Sequence, residues 1–181
     1  MSRPRPLLAV MASGTLLLAL LSTTVAVNDE TAGPVRMTAG VGPLAIGTID
    51  HLVVSEVMTG GSSASDELIE LYNPSTVALP LEGLEVIYAT STGGTITRKA
   101  SWAAGAASLP SGAHLMIANG AGAFAGIADL TYTNGLAAPG GSVAIRILGA
   151  GTAIDAVGWG TAASTWMEGA AAQAPAAGHS I

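Results

Sequence analysis

The chain has no cysteine, a single phenylalanine and a single lysine among 181 residues. Without cysteine there is no thiol nucleophile, no disulfide and no thiolate-held metal. With aromatics at 4 %, a core has to be assembled from Val, Ile and Leu around three Trp and three Tyr. Charge is scarce as well, at 10 % of residues, and its sign is acidic, twelve Asp and Glu against six Lys and Arg. Such a surface repels phosphate backbones and excludes nucleic acid as an expected partner. No G-x-x-x-x-G-K, G-x-S-x-G or H-E-x-x-H occurs, so the common phosphate-cradling, serine-nucleophile and zinc-protease motifs are missing.

What is abundant is turn chemistry. Twenty-four Gly and nine Pro suit many short strands better than long helices. Residues 1–26 read as a signal peptide: Arg3 and Arg5, an apolar run from Leu7 to about Leu21, then the small residues of Thr24-Val25-Ala26. The run is broken by Ser13-Gly14-Thr15 and barely reaches the roughly 20 residues of a spanning helix, so cleavage is expected rather than anchoring. Removing it leaves a net charge near −8 from the −6 of the whole chain, because Arg3 and Arg5 go with it. Residues 27–50 mix Gly, Pro, Thr and acids without a period and read as a flexible linker; Leu44 and Ile46 give only a faint strand signal.

From His51 the pattern changes. His51–Ser75 holds two Val/Ile/Leu-rich runs around a Gly/Ser connection, and the second stops at Asn73-Pro74, where proline has no N–H for a ladder. Asn73 is expected to terminate the strand and to tolerate a left-handed turn. Further strands are expected at Glu85–Ala89, Ile96–Trp102 with Arg98 and Lys99 outward, His114–Ala118, Ser142–Leu148 and Thr152–Trp159. In Ser142–Leu148, Val143, Ile145 and Ile147 share one face. Leu109-Pro-Ser-Gly112 reads as a tight turn, and Ala121–Leu130 as a short helical turn at most. About eight strands without crossover helices predict an all-β, antiparallel sandwich or barrel over residues 51–181.

Several pieces, taken in order, resemble the lamin tail domain in its bacterial, exported form. They are Val53–Val57 (VVSEV), Asp66–Pro74 (DELIELYNP), Leu81–Leu84 (LEGL), Leu109–Gly112 (LPSG), Pro139–Gly141 with Val143–Ile147, Ile154–Gly160 (IDAVGWG), Glu168-Gly169 and Gly178–Ile181. Leu68 and Leu84 stand where the family often has an aromatic, and the family pattern tends to continue past Ser-Ile into a basic residue. The resemblance implies an immunoglobulin-like β-sandwich without catalytic residues. In nuclear lamins such a domain is an interaction module; in bacteria similar domains accompany exported nucleases, phosphohydrolases and other surface proteins.

Glu56, Asp66, Glu67 and Glu70 form the densest acidic group. A calcium site is one reading of them; the other has Asp66 and Glu67 solvating a loop while Glu56 and Glu70 hydrogen-bond neighbouring loops. The second is expected, because no D-x-D-x-D-G pattern exists. His51, His114 and His179 lie far apart and near no nucleophile motif. Asp155, between Ile154 and Ala156, is expected to meet backbone N–H groups. Trp159 lies in the family's G-W-G and is expected to pack, which leaves Trp166 as the exposed candidate for a glycan-binding face.

Taken together, the residues and the resemblance point to a secreted or cell-surface, non-catalytic interaction domain. No cofactor, metal or catalytic residue is expected, and its partner is an unidentified protein or cell-surface component. The alternatives are an accessory module of an exported nuclease or phosphohydrolase, and a carbohydrate- or calcium-binding module. N-terminal sequencing of material secreted by a producing cell is expected to begin near Val27. An intact Met1 in the membrane fraction would exclude cleavage.

Overall fold

The structure is a computed structural model that describes residues Ile49–Ile181; residues 1–26, expected as a signal peptide, and nearly all of 27–50, expected as a linker, lie outside the described residues. Ten strands follow in chain order: β1 Val53–Thr59, β2 Glu67–Tyr72, β3 Leu79–Pro80, β4 Leu84–Thr90, β5 Ile96–Ser101, β6 Ser108–Leu109, β7 His114–Asn119, β8 Leu130–Tyr132, β9 Gly140–Ile147 and β10 Asp155–Gly160. One sheet has the order β1-β2-β7-β8 and the other β10-β9-β4-β5; β3 and β6 make a small third pair. No helix occurs among the described residues.

Period-two alternation aims one face of each sheet at the other. Val57, Ile69, Leu71, Leu115 and Ile117 meet Val86, Tyr88, Val143, Ile145 and Trp159 in one buried cluster. Ile69 and Leu71 flank Glu70 in a central strand, both fully buried. The shared face of β9 is shorter than expected. Val143 and Ile145 are buried, whereas Ile147 is 61 % exposed because it lies at the strand's last position.

A further departure from the sequence expectation concerns a connection, while the segment expected to form a short helical turn at most does so. The β7–β8 pair is parallel, whereas all strands were expected antiparallel. The segment between them, in Ala121–Leu130, makes one i→i+4 bond from Ala128 N–H to the Phe124 carbonyl. It lays Phe124 and Ala128 over Met58, Leu68 and Ala118 on the outside of the first sheet. Gly122 is required there, because a Cβ at that position would strike the Ser65 carbonyl.

Asn73 ends β2 as expected, but not by a left-handed backbone; the one described non-glycine residue with positive φ is Asn134. The Asn73 side chain is buried and donates to the carbonyls of Val77 at 2.8 Å, Leu109 at 2.8 Å and Pro110 at 3.1 Å, while Ser75 N–H donates back to it at 2.9 Å. It thereby ties the end of β2, the segment leading into β3, β6 and the turn before β7 into one corner. In that turn Gly112 takes φ +69°, a conformation that costs glycine little.

The outer face of the second sheet is apolar too. Ile87, Ala89, Ala144 and Ala156 are covered by Trp166, which is buried rather than exposed. β4 reads LEVIYAT, a nearly continuous apolar run, and such runs mark strands buried on both sides. The C-terminal segment also protects both sheet edges on one side of the sandwich. Ala172 exchanges hydrogen bonds with Gly158 and Gly160 along β10, and Ile181 exchanges two of 3.1 Å with Val57 of β1. Covered edges resist pairing with other chains.

Leu71→Asp is expected to abolish the cooperative thermal transition. It removes about 1.5–3 kcal/mol of Leu burial and places an unpaired carboxylate between the sheets, in a domain stable by roughly 5–15 kcal/mol. Ile127, 73 % exposed, is the control, and Ile127→Ala should change stability by no more than about 0.5 kcal/mol. A Leu71→Asp melt within a degree or two of the parent would refute this packing.

Candidate functional site

Between the sheets, at the end where β2 begins and β7 stops, lies a buried polar cluster. Glu67 is fully enclosed. Its Oε2 accepts from Asn119 Nδ2 at 2.9 Å and from the Tyr132 hydroxyl at 3.1 Å, and its Oε1 accepts from Leu136 N–H at 2.6 Å. Lys99 enters from the opposite sheet. Its ammonium donates to the carbonyls of Asn134 and Gly135 and sits 4.4 Å from the Tyr132 ring centroid and 5.3 Å from that of Tyr88.

The inward Lys99 overturns the expectation that it points outward with Arg98, and the cause is a β-bulge. Val86 pairs with Ala100 and Ile87 with Arg98, leaving Lys99 as the unpaired extra residue. A bulge re-aims one side chain, so Lys99 and Ala100 are both buried while Arg98 stays on the outer face. Nothing in the local pattern of residues marks the bulge. Burial lowers the Lys99 ammonium to about 8, against an opposing pull from Glu67. Burial, reinforced by Glu67, raises the Tyr132 phenol.

On the outside of the second sheet a further carboxylate, Glu85, is buried. Arg98 reaches it at 2.5 Å, Arg146 at 2.8 Å and Gly149 N–H at 2.9 Å. Burial by itself would raise this carboxyl; the Gly149 N–H and the two arginines outweigh that and hold it below the ordinary value. Arg146 also lies 4.9 Å from the Trp166 ring, so the same guanidinium pins the covering tryptophan.

The four clustered acids of the sequence do not converge. Alternation along β2 sends Glu67 inward and Glu70 outward. Asp66 is buried in the loop, where Ser63 N–H at 2.8 Å and Ala123 N–H at 2.9 Å bind its carboxylate. The Ala123 and Ser63 N–H groups hold that carboxyl below its usual range. Asp66 and Glu67 are thus the two that fix neighbouring loops, a role expected of Glu56 and Glu70. Glu56 pairs across from Glu70 on the outer face. No group of three or more potential metal-ligating side chains occurs among the described residues.

That outer face carries a histidine, His114, placed beside a serine and a carboxylate. Ser55 Oγ and His114 Nδ1 both meet Glu70 Oε1, at 2.8 Å and 2.7 Å, and His114 leans on Tyr72 with ring centroids 4.6 Å apart. A nucleophile–base pair needs the hydroxyl to donate to the imidazole. Here both groups address the same carboxylate oxygen, so the arrangement fixes side chains on a surface. Ser55 owes its place to a second bulge, between Val54 and Glu56. His51 precedes β1 beside Asp50, and His179 lies near the opposite end of that strand. Asp155 accepts Val54 N–H at 2.6 Å, the backbone partner its position called for. Trp159 is fully buried and donates to the Ala137 carbonyl at 3.0 Å.

At the end of the sandwich opposite Glu67 is a cleft of about 180 Å³. Leu52, Leu79, Leu84, Ile145 and Ile154 line it, with Asp50, His51 and Glu82 around them. These residues come from three separate stretches of chain, and no motif announces their meeting.

Two four-stranded sheets enclosing one apolar core define an immunoglobulin-like β-sandwich. The family model described as Lamin Tail Domain matches residues 47–161, and the chain belongs to that family. No curated protein sequence matches it.

The Lys99 site gives a pH signature. The folded value, about 8, lies below the 10.5 of a free lysine, so between them the unfolded chain holds more protons and stability rises with pH. The melting temperature is expected to rise from pH 7 to pH 9 relative to that of Lys99→Met. Parallel pH profiles for the two proteins would refute the buried ammonium.

Proposed function

We propose that this chain is an exported, non-catalytic interaction domain that binds a protein or cell-surface partner. The observation that carries this reading is how its reactive side chains are used. Glu67, Glu85, Asp66, Asn73 and Lys99 are bound to backbone and side-chain groups of the fold itself, and Ser55 and His114 are both held by Glu70. Side chains locked in this way hold loops and sheet faces in place, and a rigid scaffold presenting loops is what recognition requires. Family membership supports the domain type. The basic start, apolar run and small residues of 1–26 support export.

Fluorescently labelled chain is expected to bind producing cells saturably and to be displaced by unlabelled chain, whereas unfolded Leu71→Asp is not. Absence of saturable binding would sink the interaction reading. The purified chain is expected to hydrolyse neither nucleic acid nor phosphoesters. Turnover that survives purification and is lost in Glu56→Gln or His114→Ala would show an enzyme instead.

A further inference from the structure

The end cleft is apolar where it is deep and acidic where it opens. Its volume of about 180 Å³ exceeds the roughly 150 Å³ of a dry apolar cavity that accepts benzene, so one aliphatic or aromatic side chain fits. Ile147, paired across from Leu84 and 61 % exposed, extends the apolar wall beyond the cleft. Asp50, its side chain 96 % exposed, and Glu82 stand at the opening.

The charge balance around this opening is one-sided for a structural reason. From Ile49 onward the basic side chains are Arg98, Lys99 and Arg146. Arg98 and Arg146 are engaged by Glu85, and Lys99 is buried between the sheets. None of them faces Asp50 or Glu82 in an ion pair, the nearest being the His51–Asp50 contact of 3.5 Å. The field that a partner meets here is therefore negative, which favours and steers cationic ligands.

We propose that this cleft is a docking site for a cationic polypeptide segment. One aliphatic or aromatic side chain of the partner enters between Leu79, Leu84, Ile145 and Ile154, and a flanking Lys or Arg lies against Asp50 and Glu82. The proposal rests on the interaction-domain reading and gives it a partner chemistry.

The test uses the full chain and dye-labelled nonapeptides followed by fluorescence anisotropy. A peptide with a central Lys-Leu-Lys is expected to bind at least tenfold more tightly than the same peptide with Lys-Ser-Lys or Glu-Leu-Glu, and more weakly as salt is raised. Asp50→Lys with Glu82→Lys should lower that affinity at least tenfold while leaving the melting temperature near the parent's. Leu84→Gln should lower it independently of salt. Equal binding of the three peptides, or binding indifferent to both sets of substitutions, would overturn the proposal. Self-association of the chain that is lost in Leu84→Gln would assign the cleft to a second copy and overturn it too. Saturable cell binding that persists in all these variants would leave the interaction domain standing and remove only the cleft from it.

Discussion

A carboxylate shut between two sheets has to be given hydrogen bonds by the protein or it drives the sheets apart. Removing such a charge from water costs several kcal/mol even after relaxation. Glu67 meets that demand through three donors on three different segments, Asn119 of β7, Tyr132 of β8 and Leu136 beyond it. The parallel placement of β8, otherwise a short and weakly held strand, puts Tyr132 where Glu67 needs it. Lys99 then closes the same end from the second sheet by satisfying the carbonyls of Asn134 and Gly135.

Glu85 repeats the device outside the second sheet with a different consequence. Its two arginines come from the strands on either side of β4, so the carboxylate fastens β5 and β9 to their common neighbour. Arg146 passes the constraint on to Trp166, and the tryptophan keeps water from Ile87 and Ala144. The segment past residue 161, outside the match to the family model, thus completes the fold by covering a sheet face and two sheet edges.

With so few charges, this economy shapes the surface. Each basic residue of the described domain is held inside or on a buried acid, while Asp50 and Glu82 stay at the surface. The two ends of the sandwich consequently differ. One is locked by an internal polar cluster, and the other opens as an apolar cleft among acids. That difference underlies the reading of the second end as the contact surface.

The sequence by itself determined the fold class and the family, because period-two runs, Asn73-Pro74 and Pro-Gly turns act locally and need no distant partner to be read. It also determined that Trp159 packs in the core. It placed Lys99 and Trp166 on the surface, and the tertiary structure places both inside. A bulge in β5 turns Lys99 inward, and the apolar back of the second sheet folds Trp166 onto itself. Only the tertiary structure decided that Asp66 and Glu67, rather than Glu56 and Glu70, are the acids that fix neighbouring loops. It alone assembled Leu52, Leu79, Leu84, Ile145 and Ile154 into a cleft. Register and long-range packing fix these placements, and both depend on residues tens of positions away that no local pattern encodes.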